Sequence, residues 1–481
     1  TQNVMITGTG RFYALGYNLV LRYLEHGDFV IATVRKPSKE LELLQKTYKD
    51  RLFIVVMDIG STESVRSARL TVEQKFDHID LLINNAVTVS EDCDKEFFDT
   101  YVERRGTRSI KWDGCNAKFG VDPNVEMLPM WIADMDFRAP DEVVEALVQR
   151  AQTGAYGYIT KPDSFFQAIV DWIRRRYHWT AEKEWIVFTP GIVPGFNIAY
   201  QSFTKPGEGI IVQTPVYYPF MDCIHNNGRK MVENRLIECD DGRWIMDFDL
   251  LEQQVKDPAN TLMILSNPHN PTGRCWTGEE LERVGKLCAD NGVVLVSDEI
   301  HGDLIMRGHQ HVSVGTLSEE IVNNAIILNA PSKTFNLAGM QTAYAIIPNP
   351  ELRKIYNNGM TANRIFNMNW FGQIALETAY NQCEDYVDAL CEYVDGNMEY
   401  MVEYIRENLP MLKMRKSEGT YMVWVDFRGT GMSAAEIEHF IIHKAGIGVD
   451  MGTWFGSGGE GFLRFNLACP RMLVEKAMGM L

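Results

Sequence analysis

Short apolar runs that stop at turn residues recur along the whole chain, with helical periodicity between them. In residues 1–90 the runs are "NVMIT", "FVIATV", "LFIVVM" and "IDLLI". Between the first two, "YNLVLRYLEHG" places apolar residues at helical spacing and stops at Gly27. This strand–helix alternation predicts a parallel sheet with right-handed crossovers. A second set begins in "FFDTYVERRGTRSIKWD" and runs to the end. There "WIVFTPGIVPGFNIAYQSF" predicts a strand, a glycine turn and a helix, and "GIIVQTPVYYPF" a strand ending in aromatic residues. "TLMILSNPHNPTG", "GVVLVSDEIHGDL" and "AIILNAPSKTFNL" predict three more strands, each wholly apolar until its carboxyl end. Continuous apolar strands suit a parallel sheet covered on both faces.

The unusual residues sit at those carboxyl ends: Tyr217, Asn270, Asp298 and Lys333. Ligands of open parallel sheets bind beyond the carboxyl ends of strands. A lone lysine on a loop is most often a solvated surface group, and an aspartate after a strand is most often a helix cap. Four such residues at four matching ends call for a common explanation.

Length and charge narrow the classes. The chain has 481 residues, more than one ordinary core, with 46% hydrophobic and 23% charged residues. No apolar run approaches the roughly 18 residues of a membrane span, and "TQNVMITGTG" lacks the pattern of a secretory signal. The net charge is −17, while residues 1–90 are nearly balanced, so the acidic excess lies beyond them. Without a basic run, neither nucleic acid nor a membrane surface is an expected partner. Nine cysteines without a CxxC spacing suggest reduced thiols and a cytoplasmic protein. The histidines of "HGD" and "HQH" are weak evidence for a metal, and none is expected.

Pyridoxal 5'-phosphate (PLP) explains the strand-end residues. Its aldehyde needs a lysine, its ring nitrogen a carboxylate, its phosphate the N–H groups of a helix start and its ring a flat partner. Lys333, Asp298, the Gly191–Ile192–Val193 turn with Ser332, and Tyr217 are the candidates. Asn270 could donate to the ring's phenolate oxygen, and Arg464 in "GFLRFNLACPR" could hold an amino-acid carboxylate in a two-bond contact. Tyr218 and Asn270 complete the candidate substrate contacts.

The motifs "KWD", "LPMWIADMDF", "YGY", "TPVYYPF", "SNPHNPTG", "SDEIHGDL", "SKTFNLAG" and "RFNLACPR", in this order, resemble the cystathionine β-lyase (C–S lyase) group of MalY/PatB type. That group lies within the fold-type-I PLP enzymes of the class I/II aminotransferase superfamily. The resemblance implies an α/β fold over about residues 95–481, with a large domain near 140–380 and a small one from 95–139 and 381–481. It implies a homodimer with shared active sites, Tyr158 reaching the partner's cofactor phosphate, and His301 beside the cofactor. His301 and Gln341 stand where many aminotransferases carry a tyrosine and an arginine, which resembles the lyase branch. The implied reaction is β-elimination from a cysteine S-conjugate, with Lys333, Asp298 and Tyr217 as catalytic residues and transamination as the alternative.

Residues 1–90 resemble the N-terminal half of a short-chain dehydrogenase/reductase, a partial Rossmann-like unit. The matching residues are Thr7, Gly8, Gly16, Arg35, Asp58 and Asn84–Ala86. The turn is two residues too long, and the family's Tyr-x-x-x-Lys does not follow. A bifunctional protein with an NADP-binding unit is therefore the weaker alternative, and a non-catalytic unit whose sheet ends in an apolar edge at "LLINNA" or "FIVVMD" is expected.

Overall fold

In a computed structural model of the chain, described for residues 2–7, 15–34, 37, 39–57, 62–83 and 97–481, two compact units divide at Phe97/Phe98. In the first unit four parallel strands lie in the order Leu52–Val56, Phe29–Val34, Asn3–Thr7, Leu81–Ile83. The alternation of side chains along each strand explains why these segments are apolar throughout. Val30 and Ala32 pack with Val4, Val20 and Leu24 in one cluster, while Ile31 packs with Val55, Ala68 and Val72 in another. The helix Leu15–His26 ends where expected, since Gly27 adopts a φ of +100° that a side chain disfavours. Among the described residues, both strands anticipated as edges are edges, with Val56 and Leu82 about 60% exposed. Gly8, Arg35, Asp58 and Asn84–Ala86 lie outside the described residues.

In the second unit a seven-stranded sheet runs Ile186–Thr189, Ala343–Ile346, Ala325–Asn329, Val294–Asp298, Asn260–Ser266, Gly209–Val212, Lys230–Glu233. Ala343–Ile346 alone runs against the others. The apolar runs of the sequence are its central strands: Val294–Asp298 and Ala325–Asn329 are buried at nearly every position. Alternate residues feed two cores. Leu295 and Ile327 join Trp172 and Tyr344 on one face, and Val296 and Leu328 join Phe196 and Tyr356 on the other.

A smaller antiparallel sheet, Lys413–Met414, Met422–Asp426, Phe462–Asn466, Asp450–Met451, is built from the C-terminal part. Residues 128–137 are laced to the same region. Met130 N donates to Gly448 O at 2.7 Å, Asn466 N to Met130 O at 2.9 Å and Asp136 N to Ala468 O at 2.9 Å. Two acidic residues of this segment anchor it further. Asp136 accepts from Lys111 Nζ and Trp112 Nε1, both at 2.7 Å, and Arg104 bridges Asp134 and Asp136. No helix among the described residues is long and apolar enough to cross a membrane.

Candidate active site

A cavity of about 220 Å³ opens at the carboxyl ends of the central strands. Gly191, Ile192, Val193, Tyr217, Asn270, Asp298, His301, Ser332 and Lys333 all line it, together with Ala133, Ser266, Gln341 and Thr342. The fold delivers these residues from separate places. Asp298 is the last residue of its strand, paired in register with Ser266 and Leu328 of its neighbours. Its Oδ1 accepts from Ile300 N at 3.1 Å, closing a local turn rather than capping a helix. Gly191 precedes the helix Ile192–Phe203 with φ +149°, so the helix's first N–H groups, which have no partner inside it, start at the cavity wall.

Lys333 lies in the turn after Ala325–Asn329. Its Nζ donates to Ala133 O at 2.5 Å, and Tyr421 Oη donates to the same carbonyl at 3.0 Å. The turn is clasped to residues 128–137 by Asn336, whose Oδ1 accepts from Met135 N while its Nδ2 donates to Met135 O and Phe137 O. Asn336 holds a φ of +57°, a backbone conformation that asparagine tolerates better than most residues. On its other side, Thr334 Oγ1 donates to the buried Asp303 at 2.9 Å.

Burial sets the charge states. It draws the Lys333 ammonium down to about 8, in the direction that favours a free amine. The Asp298 carboxyl is pushed up to about 7, because burial outweighs the Ile300 hydrogen bond and the Lys333 charge. His301 is driven well below its ordinary value, first by burial and then by the charges of Lys333 and Arg464. Burial likewise raises the Tyr217 hydroxyl, so both rings stay neutral near pH 7.

Arg464, Tyr218 and Tyr158 do not line the cavity. Arg464 lies behind Asn270: its Nη1 donates to Asn270 Oδ1 at 2.8 Å, and its Nη2 to Trp131 O at 3.3 Å and to Asp450 Oδ2. With Oδ1 occupied, the Asn270 amide keeps its Nδ2 donor for a ligand. Tyr218 packs edge-on against Phe455 and Trp454 and meets Tyr217 at 5.6 Å. Tyr158 is 91% exposed. Among the described residues no group of three or more His, Cys, Asp or Glu side chains is arranged to hold a metal.

The sequence reading missed Ala133, Asn336, Asp303, Ser266 and Asp450. Ser266 Oγ accepts from Asn270 N at 3.1 Å and donates to Pro268 O at 3.0 Å, which shapes the turn that presents Asn270. Four of the five lie inside quoted motifs, but nothing local marks a backbone carbonyl 200 residues away as the partner of a lysine.

Residues 126–481 match the family model for aminotransferase class I and II, and residues 2–105 match that for short chain dehydrogenase. The chain is 41% identical over 381 residues to cystathionine beta-lyase PatB of Bacillus subtilis, covering 79% of this chain and 97% of that protein. A PLP-bound putative aminotransferase from Clostridium difficile aligns at 39% identity and a TM-score of 0.77, over 80% of this chain and 98% of that one. A PLP-bound C-S lyase from Staphylococcus hominis aligns at 30% identity and a TM-score of 0.73, over 80% and 96%. A match over most of the chain and a relative aligned almost end to end show that this chain belongs to the class I and II aminotransferase family, with a short-chain-dehydrogenase-like unit at its N-terminus.

Proposed function

We propose that the protein is a PLP-dependent C–S β-lyase that converts a cysteine-type S-conjugate such as cystathionine, with water, into a thiol, pyruvate and ammonium. The observation that carries this reading is the convergence of Lys333, Asp298 and the start of the helix Ile192–Phe203 on one cavity. The residues fit the cofactor. A buried carboxylate needs a cationic partner to stay ionised, and Asp298 faces one if the ring nitrogen is protonated. The Ile192 and Val193 N–H groups with Ser332 would hold the phosphate, Asn270 Nδ2 the phenolate oxygen, and Tyr217 one face of the ring. His301 Nδ1 is buried without a partner among the described residues and adds a polar atom to the same wall.

Bound PLP supplies an aldehyde carbon for the substrate's amino group and a ring that accepts electrons as the Cα–H bond breaks. Lys333, with its amine brought near 8, is the base that takes the Cα proton. The Ala133 carbonyl and the Tyr421 hydroxyl fix where that amine can stand. Asp298 holds the proton on the ring nitrogen. The sulfur needs no general acid to leave, because a thiol's pKa of about 8.5 makes thiolate a stable anion near neutrality. Transamination would share these residues. The test is pyruvate release from cystathionine with no keto-acid acceptor, together with borohydride reduction of the purified protein. Pyruvate formed in proportion to thiol, and a cofactor mass fixed on the Lys333 peptide, are the expected results. A strict need for a keto acid would favour the aminotransferase.

Arg464 is assigned to the substrate's α-carboxylate, one residue behind the cavity wall formed by Asn270. Arg464→Lys is expected to raise KM at least about tenfold, since an ammonium cannot make the planar two-bond contact. An unchanged KM places the carboxylate elsewhere.

Residues near 140–380 are taken as the large domain, and the antiparallel sheet with residues 128–137 as the core of the small one. A homodimer fits the exposure of Tyr158, Tyr156, Val144 and Val148. Cytoplasmic placement fits the eight free cysteines among the described residues. The N-terminal unit is read as non-catalytic.

A further inference from the structure

Resting on the assignment of Arg464 to the substrate carboxylate, we propose that Asp450 is a specificity-determining residue that competes with the substrate for Arg464. The two residues are direct cross-strand partners in the small antiparallel sheet, so their side chains share one face. Both are almost wholly buried, and they form an ion pair through Nη2 and Oδ2.

The geometry of the guanidinium makes this pairing consequential. A carboxylate can meet arginine with two bonds in two ways, through Nη1 and Nη2 or through Nε and Nη2. Both need Nη2. Here the two Nη2 hydrogens serve Trp131 O and Asp450 Oδ2. Nη1 serves Asn270, while Nε has no partner among the described residues. An amino-acid carboxylate therefore gains its second bond only by taking one of the two Nη2 hydrogens, from Trp131 O or from Asp450, and Asp450 is a built-in carboxylate already seated on the arginine.

Release is constrained as well. Asp450 Oδ1 is buried without a partner among the described residues, so a carboxylate that loses Nη2 has no hydrogen bond waiting among them. The Lys118 ammonium, held over the Trp454 ring at 4.3 Å, is the other positive charge acting on Asp450. Displacing Asp450 thus costs binding energy, and the α-carboxylate must repay it. An amine without a carboxylate has no such exchange to make. The residue raises KM for amino acids and leaves amines untouched.

The test is equilibrium titration of the PLP-loaded, full-length protein with L-alanine, an amino acid without a β-leaving group, and with ethylamine, its counterpart without the carboxylate. Asp450→Asn keeps an acceptor for Nη2 but removes the competing charge, and Asp450→Ser serves if that variant does not fold. Either is expected to tighten L-alanine binding about tenfold, the scale of one charge-assisted hydrogen bond, and to leave ethylamine binding unchanged. Asp450→Glu, which restores the charge, should return the weak binding. Arg464→Lys in the same assay separates the two assignments. If it weakens L-alanine while Asp450→Asn leaves L-alanine unchanged or weaker, Asp450 is only a structural partner and the proposal fails alone. If Arg464→Lys has no effect on L-alanine, the carboxylate assignment fails and the role of Asp450 with it.

Discussion

Lys333→Ala is expected to lower pyruvate release by about three orders of magnitude or more, the scale seen when a nucleophile or general base is lost. On the proposed reading, the change removes the amine that would anchor the cofactor and the base that would take the Cα proton. It should do so without unfolding the protein. Among the described residues Lys333 makes one hydrogen bond, to Ala133 O, and that carbonyl keeps its second donor, Tyr421 Oη, in the variant. The turn itself is held by Asn336 and Thr334, which the substitution leaves in place. Removing a half-buried ammonium whose pKa burial already depresses also removes a desolvation cost. Turnover above about a tenth of the wild-type rate, measured without added amine and at equal folded protein, would show that Lys333 is not the base.

Asp298→Asn carries the second large effect, and it separates catalysis from stability. An amide cannot hold a proton on the ring nitrogen as a carboxylate does, so the bound cofactor loses much of its capacity to accept electrons. Turnover is expected to fall about a hundredfold or more, within the range for a general acid–base contribution, while PLP stays bound through its other contacts. In the cofactor-free protein the sign is opposite. Asp298 is raised by burial to about 7 from 3.8, so the fold prefers it neutral. The stability that goes with the neutral form is complete below about 3.8 and is lost as the pH rises to about 7. Cofactor-free Asp298→Asn should therefore melt above the wild type at pH 8 and converge with it at pH 4. Unchanged turnover would make Asp298 a turn-forming residue only, a role its Ile300 hydrogen bond could fill.

Much of the site was legible because it sits where local pattern and topology coincide. A run such as "VVLVSD" is uncharged until its end because its strand is covered on both faces, and its first charged residue is therefore the one at the sheet's end. Asp298 is placed by that rule, and Lys333 by the similar run that precedes it. Gly191 was legible because a helix starting at the end of a strand needs a turn there, and the observed φ of +149° is one that glycine accepts. In the first unit the same rule gave the strands, and their edge positions followed from the number of strands available.

The sequence by itself therefore determined the strands, the helix starts and the residues that end them, because these depend on periods of two and 3.6 and on turn chemistry within a few positions. It also determined the family, through motifs kept in order. Tertiary structure decided how those residues act. The lysine's amine rests on Ala133, and the turn that carries it is clasped by Asn336 to a segment about 200 residues earlier. Arg464 meets Asp450 because their strands pair in that register and in no other. Such contacts join residues far apart in the chain, and their energies come from burial and charge at a distance that no local window contains. The presence of Arg464 in "LRFN" was legible, but its pairing with a buried carboxylate was not.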